Sequence, residues 1–266
     1  MKKTRLLWLV SLALVAINLF FYLTLASGHD VIKYVSNLLP IITSFIALIC
    51  LGAAFKSFKE LDLTKISWLL IGLGTFFNLM AETTYATLDL HYHMDMNKVY
   101  PTLADFFWCA AYIPLFAGIF SMFVAYKNSG FPMGELRIYI LFGVVFIATS
   151  VSIMLFLLIP VIKDPNTELF AKIFYLFYPI ADLILVAPSV ILMYITCLFG
   201  KGIISRPLRY LAVGFILMTV ADLLFAVLNW QGAYSGGNFI DVGWNMGYLS
   251  IGLAALYQKE LIDNLN

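Results

Sequence analysis

Eight apolar stretches, each long enough to cross a bilayer, account for nearly all of this 266-residue chain. In hydrocarbon every backbone N–H and C=O group must find a partner within the protein, so each stretch is expected to be a helix. The strands of a membrane β-barrel would alternate apolar and polar residues, and these stretches do not alternate. The pattern therefore predicts an all-α, polytopic membrane helix bundle.

The boundaries of the eight predicted transmembrane helices follow the punctuation of the short polar loops, to within three residues. The spans are Leu6–Ala26, Val31–Phe55, Ile66–Leu88, Thr102–Tyr126, Ile138–Ile162, Leu169–Phe199, Leu208–Asn229 and Phe239–Tyr257. The sixth is longer than one bilayer thickness, so Pro179 and Pro188 kink it or its ends extend into the interface.

Composition agrees with a membrane protein. Apolar residues make up 62% of the chain and charged residues 12%, against about 45–50% and about 25% in soluble domains. The net charge of +1, without a large basic cluster, gives no reason to expect a nucleic-acid partner. We expect residues 1–266 to form a single integral membrane domain whose main partner is the lipid bilayer.

The distribution of Lys and Arg predicts the orientation, because cytoplasmic loops carry an excess of both. Alternating loops place twelve of the sixteen Lys and Arg residues on one face and four on the other. The four are Lys33, Lys98, Lys163 and Lys172. The expected location is the cell membrane, with both termini cytoplasmic.

The chain also contains an internal repeat. The third span carries Gly74, Ala81-Glu82 and Tyr85-Ala86, and the seventh carries Gly214, Ala221-Asp222 and Phe225-Ala226, at a constant offset of 140. The fourth and eighth spans share the spacing D-x-x-W-x-x-x-Y, as Asp105, Trp108, Tyr112 and Asp241, Trp244, Tyr248. A duplication of four helices explains both matches. Because four is even, the copies, about 1–127 and about 137–258, are expected to run in the same direction as a parallel repeat.

Five carboxylates lie within or at the edge of apolar spans, and such groups mark functional sites by default. They are Glu82, Asp105, Asp182, Asp222 and Asp241. By their depth all five fall in the outer half or the middle of the predicted bundle. This arrangement predicts an outward-facing, ligand-binding pocket between the repeats.

Two of these acids have a structural alternative. Thr102-x-x-Asp105 and Asn238-x-x-Asp241 fit the capping box, in which an acid at the third helical position accepts from the cap N–H. Aromatic residues, among them Trp108 and Tyr178, also cluster in the outer halves, where an interfacial belt is one explanation. If they line the pocket instead, acids and aromatic rings together favour a small cationic or amphipathic ligand through cation–π contacts.

A second candidate site lies in the outer loop after the third span. His91, His93 and Asp95 have side chains that can act as ligands of zinc or copper. Their spacing suits an extended segment but is also compatible with an ordinary solvated loop. With a metal-activated water, these residues would make an intramembrane metal-dependent hydrolase.

Other enzymatic and cofactor signatures are missing. The sequence has no Walker loop, no Rossmann glycine pattern, no HExxH and no GxSxG. No lysine lies in the middle of the last two spans, which argues against a retinal Schiff base, whereas Lys172 could neutralise one carboxylate. We expect no cofactor, and catalysis is not the favoured activity.

One segment resembles a known class of membrane module. The run from Tyr100 to Trp108, YPTLADFFW, followed by Tyr112-Ile113-Pro114-Leu115, resembles the multi-helix input modules of bacterial and archaeal signalling proteins. Those proteins often continue into PAS, histidine kinase or GGDEF-type cyclase domains. This chain ends at Asn266, soon after the last span. The resemblance thus implies a sensor module that acts through a separate signalling protein.

Two functional classes remain beside the hydrolase. A sensor or ligand-binding module would use the pocket and relay binding to a partner. A transporter or channel for a cation or a proton-coupled solute would explain the repeat, the buried acids and the prolines equally well. The inner half distinguishes them, because a transport path must continue there and the sequence places no ionisable residue in it.

Overall fold

The computed structural model describes residues 2–25, 29–96, 99–130, 132–199 and 204–265, and within them the regular structure is helical. The helices are α1 Lys2–Thr24, α2 Asp30–Ser57, α3 Leu63–Ala86, α4 Leu103–Asn128, α5 Leu136–Ile153, α6 Ile159–Lys163, α7 Leu169–Phe199, α8 Arg206–Trp230 and α9 Ile240–Leu265. One π-helical turn, Thr87–His91, continues α3, and another, Met154–Leu158, joins α5 to α6. The predicted all-α class is confirmed.

Seven helical segments in the described part of the chain are long and apolar enough to span a membrane, and they match the first seven predicted spans. The eighth predicted span, Phe239–Tyr257, is not among these seven, although it forms α9 and continues to Leu265. The physical reason lies in its surroundings. Ile251, Leu253, Ala254 and Ala255 are at most 3% exposed, because α1, α2 and α8 enclose α9. A helix shielded by protein needs less hydropathy than one that faces lipid.

Six helices close into a ring. In order they are α2, α3, α4, α7, α8 and α9, each packed on the next, with α9 returning to α2. Helix α1 lies outside the ring against α9 and α2, while α5 and α6 lie outside it against α7. The two sequence halves therefore each contribute three consecutive ring members, and the halves meet at α4–α7 and at α9–α2.

Small residues allow the closest helix contacts. A Cβ added at Gly214 would lie 3.0 Å from the Gly247 carbonyl oxygen and from Ile251, so α8 and α9 approach at backbone distance. At Gly118 an added Cβ would lie 2.9 Å from the Ser67 carbonyl oxygen, which brings α4 equally close to α3. Such contacts are typical of membrane helices, where van der Waals packing replaces hydrophobic driving force.

The prolines have different local effects. Pro160 lies two residues after the end of the π-helical turn, and such a turn lets a helix avoid the clash between a proline ring and the preceding carbonyl. Helix α7 stays helical through both Pro179 and Pro188, over 31 residues. At 1.5 Å per residue it spans about 46 Å, which exceeds a hydrocarbon core of about 30 Å.

A dense apolar core fills one end of the ring. Its largest members include Trp68, Ile71, Met122, Leu211 and Phe215, each at most 1% exposed. This is the end where α2 finishes and α3 begins. The opposite end, where α3 finishes and α4 begins, contains the polar residues described next.

Candidate functional site: an acidic and aromatic cavity

A cavity of about 130 Å³ lies inside the ring. All six ring helices contribute to its wall, together with Met96, Val99 and Tyr100 from the α3–α4 loop and Tyr234 from the α8–α9 loop. It therefore extends to the end of the bundle opposite the apolar core. Six of the seven predicted ligand-binding residues line it: Glu82, Asp105, Trp108, Tyr178, Asp182 and Asp222.

Glu82 of α3 is held from across the ring. The Tyr248 hydroxyl of α9 donates a hydrogen bond of 2.7 Å to Glu82 Oε1, and Trp108 of α4 lies beside the same carboxyl group. Protein surrounds the side chain, yet part of its surface remains accessible, and the cavity supplies that access. Glu82 is thus oriented by protein donors while it still faces the cavity.

Asp222 of α8 has the corresponding environment in the second half. The Trp244 indole N–H donates to Asp222 Oδ1 at 2.7 Å, and the Tyr112 hydroxyl lies 3.4 Å from Oδ2. Trp244 comes from the same half as Asp222, whereas Tyr112 comes from the other. Each of these two acids therefore lies beside a tryptophan of its own half and a tyrosine of the opposite half.

Asp182 of α7 is the most deeply buried acid of the cavity wall, at 2% exposure. Its Oδ1 accepts a hydrogen bond of 2.7 Å from the Tyr112 hydroxyl, but within the described part of the chain its Oδ2 has no partner at normal hydrogen-bond geometry. The hydroxyl of Thr219 lies nearby and is also without a partner at normal hydrogen-bond geometry. A buried carboxylate oxygen without a donor is costly, so this atom marks the place where a ligand would contribute most.

Asp105 begins α4 and completes the predicted capping box. Its Oδ2 accepts from the Thr102 backbone N–H at 2.6 Å and from the Thr102 hydroxyl at 2.9 Å, while the Thr102 hydroxyl accepts from the Ala104 N–H. The Tyr178 hydroxyl donates to the other oxygen at 2.9 Å. Asp105 therefore has the structural role that its sequence position indicates, although it also lines the cavity.

Asp241, the seventh predicted ligand-binding residue, is not part of the cavity wall. It organises the α8–α9 loop, since it accepts from the Gly237 N–H at 2.8 Å, the Tyr234 hydroxyl at 2.9 Å and the Tyr22 hydroxyl at 3.2 Å. Burial, with a contribution from Asp241, raises the pKa of Tyr234 well above its usual value, so this hydroxyl remains a donor. The structure thus gives Asp241 a positioning role rather than a place facing a ligand.

The proposed metal site does not assemble. His91 ends the π-helical turn, His93 has a positive φ of 51°, and both are exposed, as is Asp95. Among the residues that the structure describes, no group of three or more His, Cys, Asp or Glu side chains is arranged to hold a metal ion.

The charged side chains described in the cavity wall are all acidic. The wall has four carboxyl groups and, among the described residues, no lysine or arginine. Lys172 does not neutralise any of them, because its Nζ donates to the Ile162 carbonyl oxygen at 2.9 Å. Lys33 is paired with Asp89, in the middle of the π-helical turn, at 2.7 Å. The acids must therefore be compensated by protons or by a cation from solution.

Several wall residues were absent from the predicted site. Tyr112, Trp244 and Tyr248 bind the acids directly, yet they served only as markers of the repeat. The signal was present, because residues spaced by three and four lie on one helix face. In D-x-x-W-x-x-x-Y the three residues thus share one helix face, and Asp105, Trp108 and Tyr112 of the first copy all line the cavity, as do Trp244 and Tyr248 of the second. Asn78 and Asn229, which also line it, had no such signal.

The chain has no recognisable relative in the three comparisons with known proteins: no protein-family model, no curated protein and no solved structure matches it.

Proposed function

We propose that this protein is a multi-pass membrane protein that binds a small organic cation in the acidic and aromatic cavity, and that it acts as a sensor through a separate signalling protein. The observation that carries the proposal is Asp182 Oδ2, which is buried in the cavity wall and has no donor at normal hydrogen-bond geometry among the described residues. A cationic group placed there would supply both the missing hydrogen bond and the missing charge.

The surroundings of Asp182 support a cation over an anion or a neutral solute. Burying a carboxylate in a membrane costs several kcal/mol unless a proton or a cation compensates it. Aromatic faces add to the attraction of a cation by about 0.5–2 kcal/mol each, and Trp108, Trp244 and Tyr178 lie in the wall. An anion would meet four acids and no basic side chain among the described wall residues.

We infer that the fold is an eight-helix bundle built from two four-helix copies. The contacts of α3 with α4 match those of α8 with α9. Gly74 faces Ala111 and Leu115, whereas Gly214 faces Gly247 and Ile251, which occupy the same positions relative to Tyr112 and Tyr248. The tryptophan and tyrosine partners of Glu82 and Asp222 agree with the same relation. Helix α9 would be the eighth span, shielded from lipid by its neighbours.

We infer further that both termini are cytoplasmic, from the twelve-to-four distribution of Lys and Arg. The cavity would then open to the outside. Single cysteines at Glu60 and at Asn166, in loops at opposite ends of the bundle, test this in a variant without the native cysteines. A membrane-impermeant thiol reagent applied to intact cells should label the Asn166 variant only, and the reverse labelling would overturn the orientation.

The apolar core favours a sensor over a transporter. Leu115, Leu185 and Phe215 form the floor of the cavity and belong to the buried cluster that fills the other end of the ring. A solute cannot continue through that cluster in the conformation described. The resemblance of the segment from Tyr100 to Trp108 to signalling input modules is consistent with the same function.

The binding proposal can be tested with the purified full chain in detergent. The probes are butylamine, tetramethylammonium and the neutral analogue butanol, followed by tryptophan fluorescence, since Trp108 and Trp244 line the cavity. Binding of an ammonium compound should be weakened roughly tenfold or more by Asp182→Asn. The matched control, Asp30→Asn at an exposed helix start, should bind as the unaltered protein does.

Two results would overturn the cation proposal. One is that butanol binds as well as the two ammonium compounds. The other is that Asp182→Asn, shown by thermal unfolding to be folded, binds them with unchanged affinity.

Transport remains the second candidate, because duplicated bundles with a site between the copies are common among transporters. The paired environments of Glu82 and Asp222 are the observation in its favour. Uptake of labelled amine by proteoliposomes, abolished by Asp182→Asn, would establish transport and replace the sensor proposal. Binding without uptake would leave the sensor as the better description.

A further inference from the structure

The cavity contains two separate acidic positions rather than one. Asp182 and Asp222 share a single donor, the Tyr112 hydroxyl, at 2.7 and 3.4 Å. One cationic group can therefore approach both. Glu82 is oriented from a different direction by Tyr248. It is close enough to Asp222 to interact electrostatically, but in the described structure it shares no hydrogen-bond donor with Asp222.

The two positions are related by the repeat but are unequal. Asp182 follows Pro179 by three residues, and Thr43 follows Pro40 by the same spacing in the first half. The Thr43 hydroxyl, fully buried, donates to the Asn245 side-chain oxygen at 3.0 Å and does not belong to the cavity wall. The second half thus has an extra acid where the first half has a neutral pair. The Asp182–Asp222 position therefore has two carboxyl groups, whereas Glu82 supplies one.

The free hydrogen-bonding capacity of these acids indicates the type of cation. A carboxylate oxygen without a donor, such as Asp182 Oδ2, needs an N–H group, which a quaternary ammonium lacks. Charge-assisted N–H to carboxylate bonds are about twice as strong as neutral ones. A primary ammonium, with three N–H donors, suits the Asp182–Asp222 position. The same group suits Glu82, which keeps accessible surface toward the cavity.

We propose that the ligand is a linear α,ω-diamine, with one ammonium group between Asp182 and Asp222 and the other on Glu82. The methylene chain between them lies against the aromatic wall formed by Trp108, Tyr112 and Trp244. This inference rests on the proposed cation-binding function and specifies its ligand. It also accounts for the conjunction of two acidic positions with an apolar, aromatic middle.

The test compares diamines with monoamines on the purified full chain in detergent. The probes are 1,3-diaminopropane, 1,4-diaminobutane and 1,5-diaminopentane, each against the monoamine with the same number of carbons. At least one diamine should bind roughly tenfold more tightly than its monoamine. In Glu82→Gln this ratio should fall toward one, because the second ammonium loses its acid. The control Glu60→Gln, in an exposed loop at the other end of the bundle, should preserve the ratio.

The outcomes separate this inference from the function on which it rests. If monoamines bind and no diamine binds more tightly, the diamine inference is wrong while cation binding stands. The same conclusion follows if folded Glu82→Gln keeps the full diamine preference. If no amine binds, the proposed function itself fails. Should Glu82→Gln not fold, the comparison in the unaltered protein still decides.

Discussion

Tyr248 reaches across the ring from α9 to place its hydroxyl 2.7 Å from Glu82 on α3. The relation is repeated with the halves exchanged, since Tyr112 on α4 approaches Asp222 on α8. These contacts join the two halves inside the cavity, together with the hydrogen bonds from Tyr112 to Asp182 and from Tyr178 to Asp105. A tyrosine in such a place fixes both the rotamer of the acid and the distance between helices that do not follow one another in the chain.

Removing the Tyr248 hydroxyl should therefore destabilise the bundle. We expect Tyr248→Phe to lower the free energy of unfolding by about 1–2 kcal/mol, because it leaves an enclosed carboxyl group without its donor. Thermal unfolding in detergent measures the change. The same substitution at Tyr34, which is 56% exposed on α2, is the control and should have little effect. Equal effects of the two substitutions would contradict a role for the hydrogen bond.

Helix approach at Gly118 gives a second prediction. A Cβ there would lie 2.9 Å from a backbone oxygen, which cannot rotate away, so Gly118→Ala should destabilise by about 1–3 kcal/mol through forced separation of α3 and α4. Gly143→Ala is the control, because nothing lies within 4 Å of its added Cβ. The unfolding temperature should fall for Gly118→Ala alone. An unchanged unfolding temperature in Gly118→Ala would show that the two helices separate at no cost in stability.

The capping box at the start of α4 gives a third prediction. Asp105→Ala removes the acceptor of the Thr102 N–H and of two hydroxyl groups, so we expect a loss of about 1–3 kcal/mol. Asp62→Ala, at the exposed cap of α3 where the acid accepts only from Lys65 in the described structure, should cost less, about 0.5–2 kcal/mol. Thermal unfolding of the pair compares them. A larger loss at Asp62 would show that the Asp105 cap is dispensable.

The loop before α7 provides a prediction about pH. The Thr167 hydroxyl, the Asn166 N–H and the Trp230 indole N–H lower the pKa of Asp164 to about 2. Because this pKa is depressed, the contribution of the loop contacts is fully present above the ordinary value of 3.8 and is lost as the pH falls through about 2.

Replacing the indole donor should move that titration. In Trp230→Phe we expect the midpoint of Asp164 to rise toward its ordinary value, as measured by NMR of carboxyl-labelled aspartate in micelles. Trp8→Phe is the matched control, since Trp8 donates to Tyr257 instead. An unchanged midpoint in Trp230→Phe would show that the indole contributes nothing to the carboxylate.

The sequence was sufficient for the helices, because twenty apolar residues leave the backbone no other stable choice in hydrocarbon. It was also sufficient to bring Glu82, Asp182 and Asp222 to one cavity, since an acid in a membrane helix turns away from lipid. The sequence was insufficient to predict that Asp241 lies outside the cavity wall, because its hydrogen bonds come from Gly237, Tyr234 and Tyr22. Those contacts depend on a loop conformation and on a helix more than two hundred residues away.

The burial of α9 could not be predicted from its own residues for the same reason. Hydropathy assigns a helix to lipid or to protein only through its own residues, whereas the burial of α9 is a property of its neighbours α1, α2 and α8. The placement of the proposed metal ligands could not be predicted from the sequence for a related reason. His91 and His93 are near in sequence, but the positive φ at His93 and the end of the π-helical turn fix their directions independently.

The enclosure of α9 has a consequence for biogenesis. Helices α1 and α9 lie side by side, joined by Thr4 to Glu260 and by Trp8 to Tyr257, each at 3.1 Å. Because α1 is synthesised before α9, it must wait beside the insertion machinery, or in the bilayer, until α9 arrives. Until then the polar faces of α2 and α8 have no cover, and a ribosome that stalls before α9 would release a product exposed to membrane quality control.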